Sequence, residues 1–240
     1  YVAPPLSSPA VIQSNLLMLR FQMPFRLLLL LVAAAAATLP IRGQTLASAT
    51  ASATASPTEF IENRGQWDRQ AKFLMQTKEA NYWVTSNSIV CDFYQLQRKP
   101  TDIRNTSRKS LLAQPSTVAG HVVRMAFVGG NPAPRITTVN PSATLRSYFL
   151  GNDPARWAAG VQSYNEVWMH GLYDGIDLRL YSDSGSLQYD FQLAPNVPVS
   201  RIRVRMGNCG GIRIVKNELW VHTSIGIIRH NPPVAYQMVQ

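Results

Sequence analysis

The chain has 240 residues, 46% of them hydrophobic and 15% charged, with 23 basic against 13 acidic side chains. That is enough apolar material for one sizeable core, and it is poor in charge for a cytosolic domain. Arg20, Arg26 and Arg42 stand in the first 43 residues with no acid, so residues 44–240 keep a net charge of +7, which repels basic partners and tolerates acidic ones.

Residues 1–22 open on Tyr1 and are rich in Pro and Ser ahead of a complete export signal, so they are expected to be non-native upstream translation, with an internal start at Met18 or Met23. Met23 to Arg26 is a basic n-region, and Leu27 to Ala37 is an apolar run too short for a membrane span, which needs roughly 20 residues. Residues 23–43 therefore read as a secretory signal peptide, and the mature chain is expected to begin between Gln44 and Thr58. Residues 44–58 form an Ala/Ser/Thr linker that cannot bury enough apolar surface to order itself.

Structure is expected from Glu59 to Gln240, in one all-β domain. Phe60 to Glu62 reads as a short strand entering a turn at Asn63 to Gly65, where glycine supplies the positive φ. Phe73 and Met75 alternate with Lys72, Leu74 and Gln76, and Tyr82 to Val84 precedes a break at Ser86 to Ser88. Ile89, Cys91 and Phe93 then share one face of a strand. Gln95 to Gly120 loses periodicity and gathers Arg98, Lys99, Arg104, Arg108 and Lys109, so it reads as a long surface loop; Asn105-Thr106-Ser107 within it fits a glycosylation sequon.

Alternation returns at His121 to Val128, with Val123, Met125 and Phe127 inward, and Gly129 to Pro132 forces a loop. Ile136 to Val139 and Leu145 to Leu150 are short strands, and Asp153-Pro154 turns the chain before Trp157 packs the corner. Val161 to Met169 and Ile176 to Tyr181 flank Tyr173-Asp174-Gly175, and Ser182 to Gly185 turns the chain into Leu187 to Leu193 as a hairpin. Ile202, Val204 and Met206 alternate with Arg201, Arg203 and Arg205, which predicts a core face backed by a cationic ribbon. Ile212 to Val215, Leu219 to His222 and Ile225 to Ile228 complete the strands, and no segment has helical periodicity.

Few residues suggest chemistry. Asp174, Asp177 and Asp190 lie near turns and strand ends, where a Ca²⁺ site or a carboxylate pair for glycoside hydrolysis is conceivable; turn and strand-face roles explain them more simply. His121, His170, His222 and His230 lack zinc-type spacing. Arg201, Arg203 and Arg205 are candidates for an acidic ligand, though alternation with apolar residues is what any solvent-facing strand shows. Trp67, Trp83, Trp157, Trp168 and Trp220 suit either a sugar-stacking platform or the core, with Trp157 the candidate kept for ligand binding. Export would permit a disulfide between Cys91 and Cys209, which sequence separation neither favours nor forbids.

Seven ordered motifs carry a resemblance: FIENRGQW at 60–67, VCDFY at 90–94, GHVVRMAFVGGNP at 120–132, YFLGNDPARW at 148–157, YDGIDLRLY at 173–181, LQYDF at 187–191 and NPPVAYQ at 231–237. Together they resemble the N-terminal domain of unknown function of large bacterial secreted proteins carrying SBBP (β-propeller) repeats, some ending in gliding-motility or type IX secretion sorting domains. The resemblance implies a modular surface protein with downstream β-propeller repeats as partners, and it assigns no catalytic residue. It also implies further strands after Tyr236, so the domain is expected to be truncated at its C-terminal end, and Cys91 stands where an aromatic or aliphatic residue is common.

The expected molecule is a secreted or cell-surface, antiparallel β-sandwich-like module that is not an enzyme. Adhesion or scaffolding is the expected role, with glycans or cell-surface proteins as partners, no nucleic acid and no membrane span in the mature chain. The rival is a carbohydrate-binding or glycoside hydrolase-like module. No cofactor is expected unless Asp174, Asp177 and Asp190 hold Ca²⁺.

Overall fold

A computed structural model describes residues 16–22, 58–97 and 117–238. The expected signal peptide, all of the linker but Thr58, and the sequon at Asn105 lie outside the described residues. The strands are β1 (Leu16–Gln22), β2 (Phe60–Glu62), β3 (Phe73–Gln76), β4 (Ala80–Val84), β5 (Ser88–Gln97) and β6 (Thr117–Phe127). Then come β7 (Arg135–Pro141), β8 (Arg146–Tyr148), β9 (Ala158–Val161), β10 (Ser163–Tyr173), β11 (Ile176–Asp183) and β12 (Ser186–Leu193). The last are β13 (Val204–Gly207), β14 (Gly211–Val215), β15 (Glu218–Thr223), β16 (Gly226–His230) and β17 (Val234–Met238). Among the described residues there is no α-helix, and no helix long and apolar enough to cross a membrane.

The fold is all-β and antiparallel throughout. The main sheet runs β13-β6-β5-β4-β3-β2-β10-β11-β12-β1-β17, with β7 on the other edge of β10; β14-β15-β16 and β8-β9 form two small sheets. β10 pairs through Tyr164 with both β2 and β7, then exchanges β2 for β11 from Tyr173 to Glu166. The sheet thereby folds over in a sandwich-like manner. Inward positions of β3 to β6 and of β10 to β12 meet in one core, with Phe127 edge-on to Phe191 at 6.3 Å. Val221 and Ile228 of the β14-β15-β16 sheet close that core.

The hairpin between β11 and β12 follows its turn chemistry. Asp183 sits opposite Ser186, and Ser184 and Gly185 take φ values of 51° and 77° between them, the two left-handed residues of a type I′ turn. The beginning of the domain is pinned by side chains. Glu59 accepts hydrogen bonds from Ser163 Oγ at 2.7 Å and from Arg146 Nη1 at 2.9 Å. Despite the desolvation of partial burial, bonds from Ser163, Ser142 and Arg146 hold its carboxyl below the usual range.

Four features depart from the sequence reading. Leu74, expected outward, is 2% exposed. It lies opposite Ile61 and Trp83, on a face where Ile61, Ala158 and Val161 form a second cluster under Trp67 and Tyr148, so this part of the sheet is buried on both sides. The expected loop at Gln95 to Gly120 is partly strand, because β5 and β6 stay paired out to Gln97 opposite Thr117. A ladder satisfies backbone groups whatever the side chains do, and Val118 in it is 64% exposed.

The run from Arg201 to Met206 is no continuous ribbon. Arg201 ends a single-turn 3-10 helix over Val199–Arg201, only Val204 to Gly207 is strand, and Val204 is 38% exposed rather than core. Finally, part of the tail expected to stand outside the fold forms β1, between β12 and β17. Leu17, Leu19 and Phe21 pack against the core while Met18 and Arg20 take the other face, the period of two that any half-buried strand shows.

Candidate functional site

The outer face of β10, β11, β12 and β1 is the richest in chemistry. Alternation sends Val167, Met169, Leu178, Leu180, Tyr189 and Phe191 to the core. The intervening positions, Glu166, Trp168, His170, Asp177, Arg179, Tyr181, Asp190 and Arg20, therefore share the opposite face. Arg179 lies directly opposite Asp190, and Asp190 opposite Arg20, so charges alternate in register across three strands.

Arg179 grips Glu166 with two bonds, Nε to Oε2 at 2.9 Å and Nη2 to Oε1, and Trp168 Nε1 adds a third at 3.3 Å. The Arg179 bonds hold the Glu166 carboxyl below its usual range despite burial. The Arg179 guanidinium also lies over the Tyr181 ring at 4.5 Å and the Trp168 ring at 5.7 Å. Burial, with Asp190 nearby, pushes the Tyr181 phenol up to about 12. Asp190 is completely buried and receives Arg20 Nε at 3.3 Å and Tyr181 OH at 3.3 Å on Oδ1.

Beside this ladder stands a hydroxyl–imidazole–carboxylate relay. His170 Nδ1 lies 2.8 Å from Asp177 Oδ2, and His170 Nε2 lies 2.8 Å from Thr137 Oγ1. A carboxylate accepts only, so Nδ1 carries the proton; in the neutral ring Nε2 then accepts from the Thr137 hydroxyl. Asp177 Oδ1 takes the Gly171 backbone N–H at 2.7 Å, at a bulge where Gly171 has φ +63° and the β10–β11 register shifts. His170 lies flat against Trp168, ring centres 5.9 Å apart. Such a chain can fix an imidazole tautomer and draw a proton from a hydroxyl. It also ties β7, β10 and β11 together.

The three candidate acids do not converge. Asp174 sits exposed at the β10–β11 turn and pairs with Arg201, Asp177 belongs to the relay, and Asp190 to the ladder. Among the described residues no three His, Cys, Asp or Glu side chains come together as a metal site requires. Arg201 also donates to the Asp174 carbonyl at 2.8 Å, Arg203 lends its carbonyl to Tyr173 OH at 2.7 Å, and Arg205 stands on β13 opposite Ala126.

The tryptophans are scattered too. Trp67 and Trp83 meet edge-on at 5.4 Å, Trp220 lies 4.4 Å beneath the Arg229 guanidinium, and Trp157 is 45% exposed beside Phe149. Cys91 and Cys209 are both free thiols; burial pushes Cys91 up to about 12. His121 bonds Ser224 and the Asn208 carbonyl, while His230 is buried with no partner for Nδ1 among the described residues.

Sequence reasoning singled out Asp177 and Asp190, weighed His170 only as a zinc ligand, and missed Thr137, Glu166, Arg179 and Arg20. The usable signal was the hairpin at Asp174-Gly175, which brings Asp177 back beside the His170-Gly171 step. Past the ends of β3, β7 and β11, these strands also border an open groove of about 1050 Å³, whose walls include Gln76, Asn140, Asn165, Tyr181, Ser182 and Ser184. Its lining is mostly amide and hydroxyl, with Lys78, Glu79 and Glu166 the charged members.

No curated protein and no solved structure matches the chain. A family model described as a domain of unknown function (DUF7948) matches residues 60–240, which spans every strand from β2 onward. The chain belongs to that family of domains of unknown function, DUF7948.

Proposed function

We propose that this chain is an exported, non-catalytic β-module that works in adhesion or scaffolding at the start of a larger bacterial surface protein with downstream β-propeller repeats, and that its contact is with a neutral glycan. The observation that carries the glycan contact is the groove lined by Gln76, Asn140, Asn165, Tyr181, Ser182 and Ser184. Amides and hydroxyls without excess charge match a polyhydroxylated, uncharged polymer. The signal-like run at residues 23–43 supports export.

A hydrolase reading needs a carboxylic acid with a raised pKa, paired with a second carboxylate about 5–10 Å away. Glu166 at the groove is shifted the other way by Arg179. The test is an array of neutral and acidic glycans probed with the full chain, alongside glycosidase and esterase substrates. Binding to neutral glycans that is lost in Asn165→Leu and Ser182→Leu supports the reading. Turnover that vanishes in His170→Ala or Thr137→Val, with the β signal by circular dichroism retained, replaces it with an enzyme.

A further inference from the structure

β1 is set apart from the other strands of its sheet. Residues 23–59 separate it from β2, whereas it lies in the sheet between β12 and β17 and runs antiparallel to both, with Arg20 opposite Asp190 on one side and Val234 on the other. Among the described residues, β1 meets the sheet through backbone ladder and side-chain fit, as an added peptide strand does.

The slot has two distinct recognition faces. Toward the core, Phe21 stacks flat on Tyr189 with ring centres 5.0 Å apart and meets Phe191 edge-on at 5.9 Å, with Leu17 and Leu19 packed beside it. On the outer face the slot holds Asp190, with no exposed side-chain surface. Arg20 reaches its Oδ1 from Nε at 3.3 Å and its Oδ2 from Nη2 at 3.5 Å, and donates to Tyr236 OH at 3.0 Å. The only other cation on Asp190 among the described residues, Arg179, stands 3.9 Å away with its short bonds committed to Glu166. A buried carboxylate requires a hydrogen-bonded cation, and the fork of a guanidinium fits two carboxylate oxygens as a lysine does not.

We propose that the space between β12 and β17 is a strand-acceptor site that selects an extended segment with arginine opposite Asp190 and apolar residues at alternate positions, and that Leu16–Gln22 is its detachable occupant. The proposal does not rest on the glycan reading or on export. Any cut within residues 23–59 makes the strand a separate ligand.

The test uses the full chain with a site-specific protease sequence inserted among residues 44–57, and a fluorescent synthetic peptide of the sequence Leu16–Gln22. The labelled peptide should enter after the cut and not before it, read as anisotropy. Competitor peptides with Arg20→Met or Arg20→Glu should be weaker by about tenfold or more, and Arg20→Lys should fall between. In the Asp190→Asn chain the preference for the arginine over the methionine peptide should largely disappear, leaving only what the bond to Tyr236 OH supplies. If that variant does not fold, the peptide series on the unaltered slot still decides. A cleaved N-terminal fragment that never exchanges with the peptide, or uptake with no preference for arginine, overturns the proposal.

Discussion

His230 shows what burial does to one titratable group. It is 3% exposed, its Nδ1 has no partner among the described residues, and desolvation pushes its pKa down to about 4. An unfolded histidine takes up a proton near pH 6.5 and this one only near 4, so between those values the unfolded state binds more protons and stability falls as pH falls. The slope is at most about 1.4 kcal/mol per pH unit, and the contribution is flat above about pH 7. Urea midpoints of the full chain should therefore drop from pH 6.5 to 4.5, and His230→Leu should flatten that stretch. Glu59 and Glu166, held below the usual carboxylate range, add their losses at lower pH. The relay gives a second test. Thr137→Val should cost about 1 kcal/mol and His170→Phe more, because the latter also removes the bond to Asp177, and the double variant should cost less than their sum, because both remove the Thr137–His170 bond. None of this was legible beyond Asp177. Thr137 and His170 meet only through the β7–β10 register, and a register is a property of paired strands that no local spacing contains.

Elements built on turn chemistry were the legible ones. Ser184-Gly185 and Asp174-Gly175 sit where the sequence puts hairpin corners, since few residues tolerate a positive φ. Gly175 is the stricter of the two. Its φ is +73°, and a Cβ there would lie 2.7 Å from Val197 Cγ2. Gly175→Ala should therefore destabilise by about 1–2 kcal/mol from backbone conformation alone, with the clash in addition. Adding Val197→Ala should relieve the clash and leave the backbone cost, so the pair should recover only part of the lost denaturation midpoint. Full recovery would show that φ at this corner is unstrained. Elements without such punctuation were misread: β5 and β6 extend beyond their apolar alternation, and the arginine run from 201 to 205 is half turn and half strand. In both places backbone pairing or a local turn decided the outcome, and the hydrophobic pattern was silent or misleading.

At the scale of the whole molecule, the fold class followed from period-two patterning, but the joining of its sheets did not. Val221 and Ile228 belong to the three-stranded β14-β15-β16 sheet, yet they are 1% and 3% exposed because they pack into the core of the main sheet. Around them Cys91, Phe93, Val123 and Met125 of β5 and β6 line the same small void as Met206 and His230. Among the described residues the two sheets share no ladder; this apolar contact links them beside the His121–Ser224 bond, and hydrophobic contact of this kind is cooperative with the core it joins. Removing part of it should weaken the whole molecule. Ile228→Ala should cost about 2–5 kcal/mol, in the range of buried aliphatic truncations, and the loss should appear in one transition. Tryptophan fluorescence of chains retaining only Trp220 in β15 or only Trp168 in β10 provides a reporter for each sheet. Coincident urea transitions, both displaced equally by Ile228→Ala, are the expected result. If the Trp220 signal melts first while the Trp168 signal keeps its midpoint, the small sheet is an independent unit resting on the large one, and the shared core holds together only the strands of the main sheet.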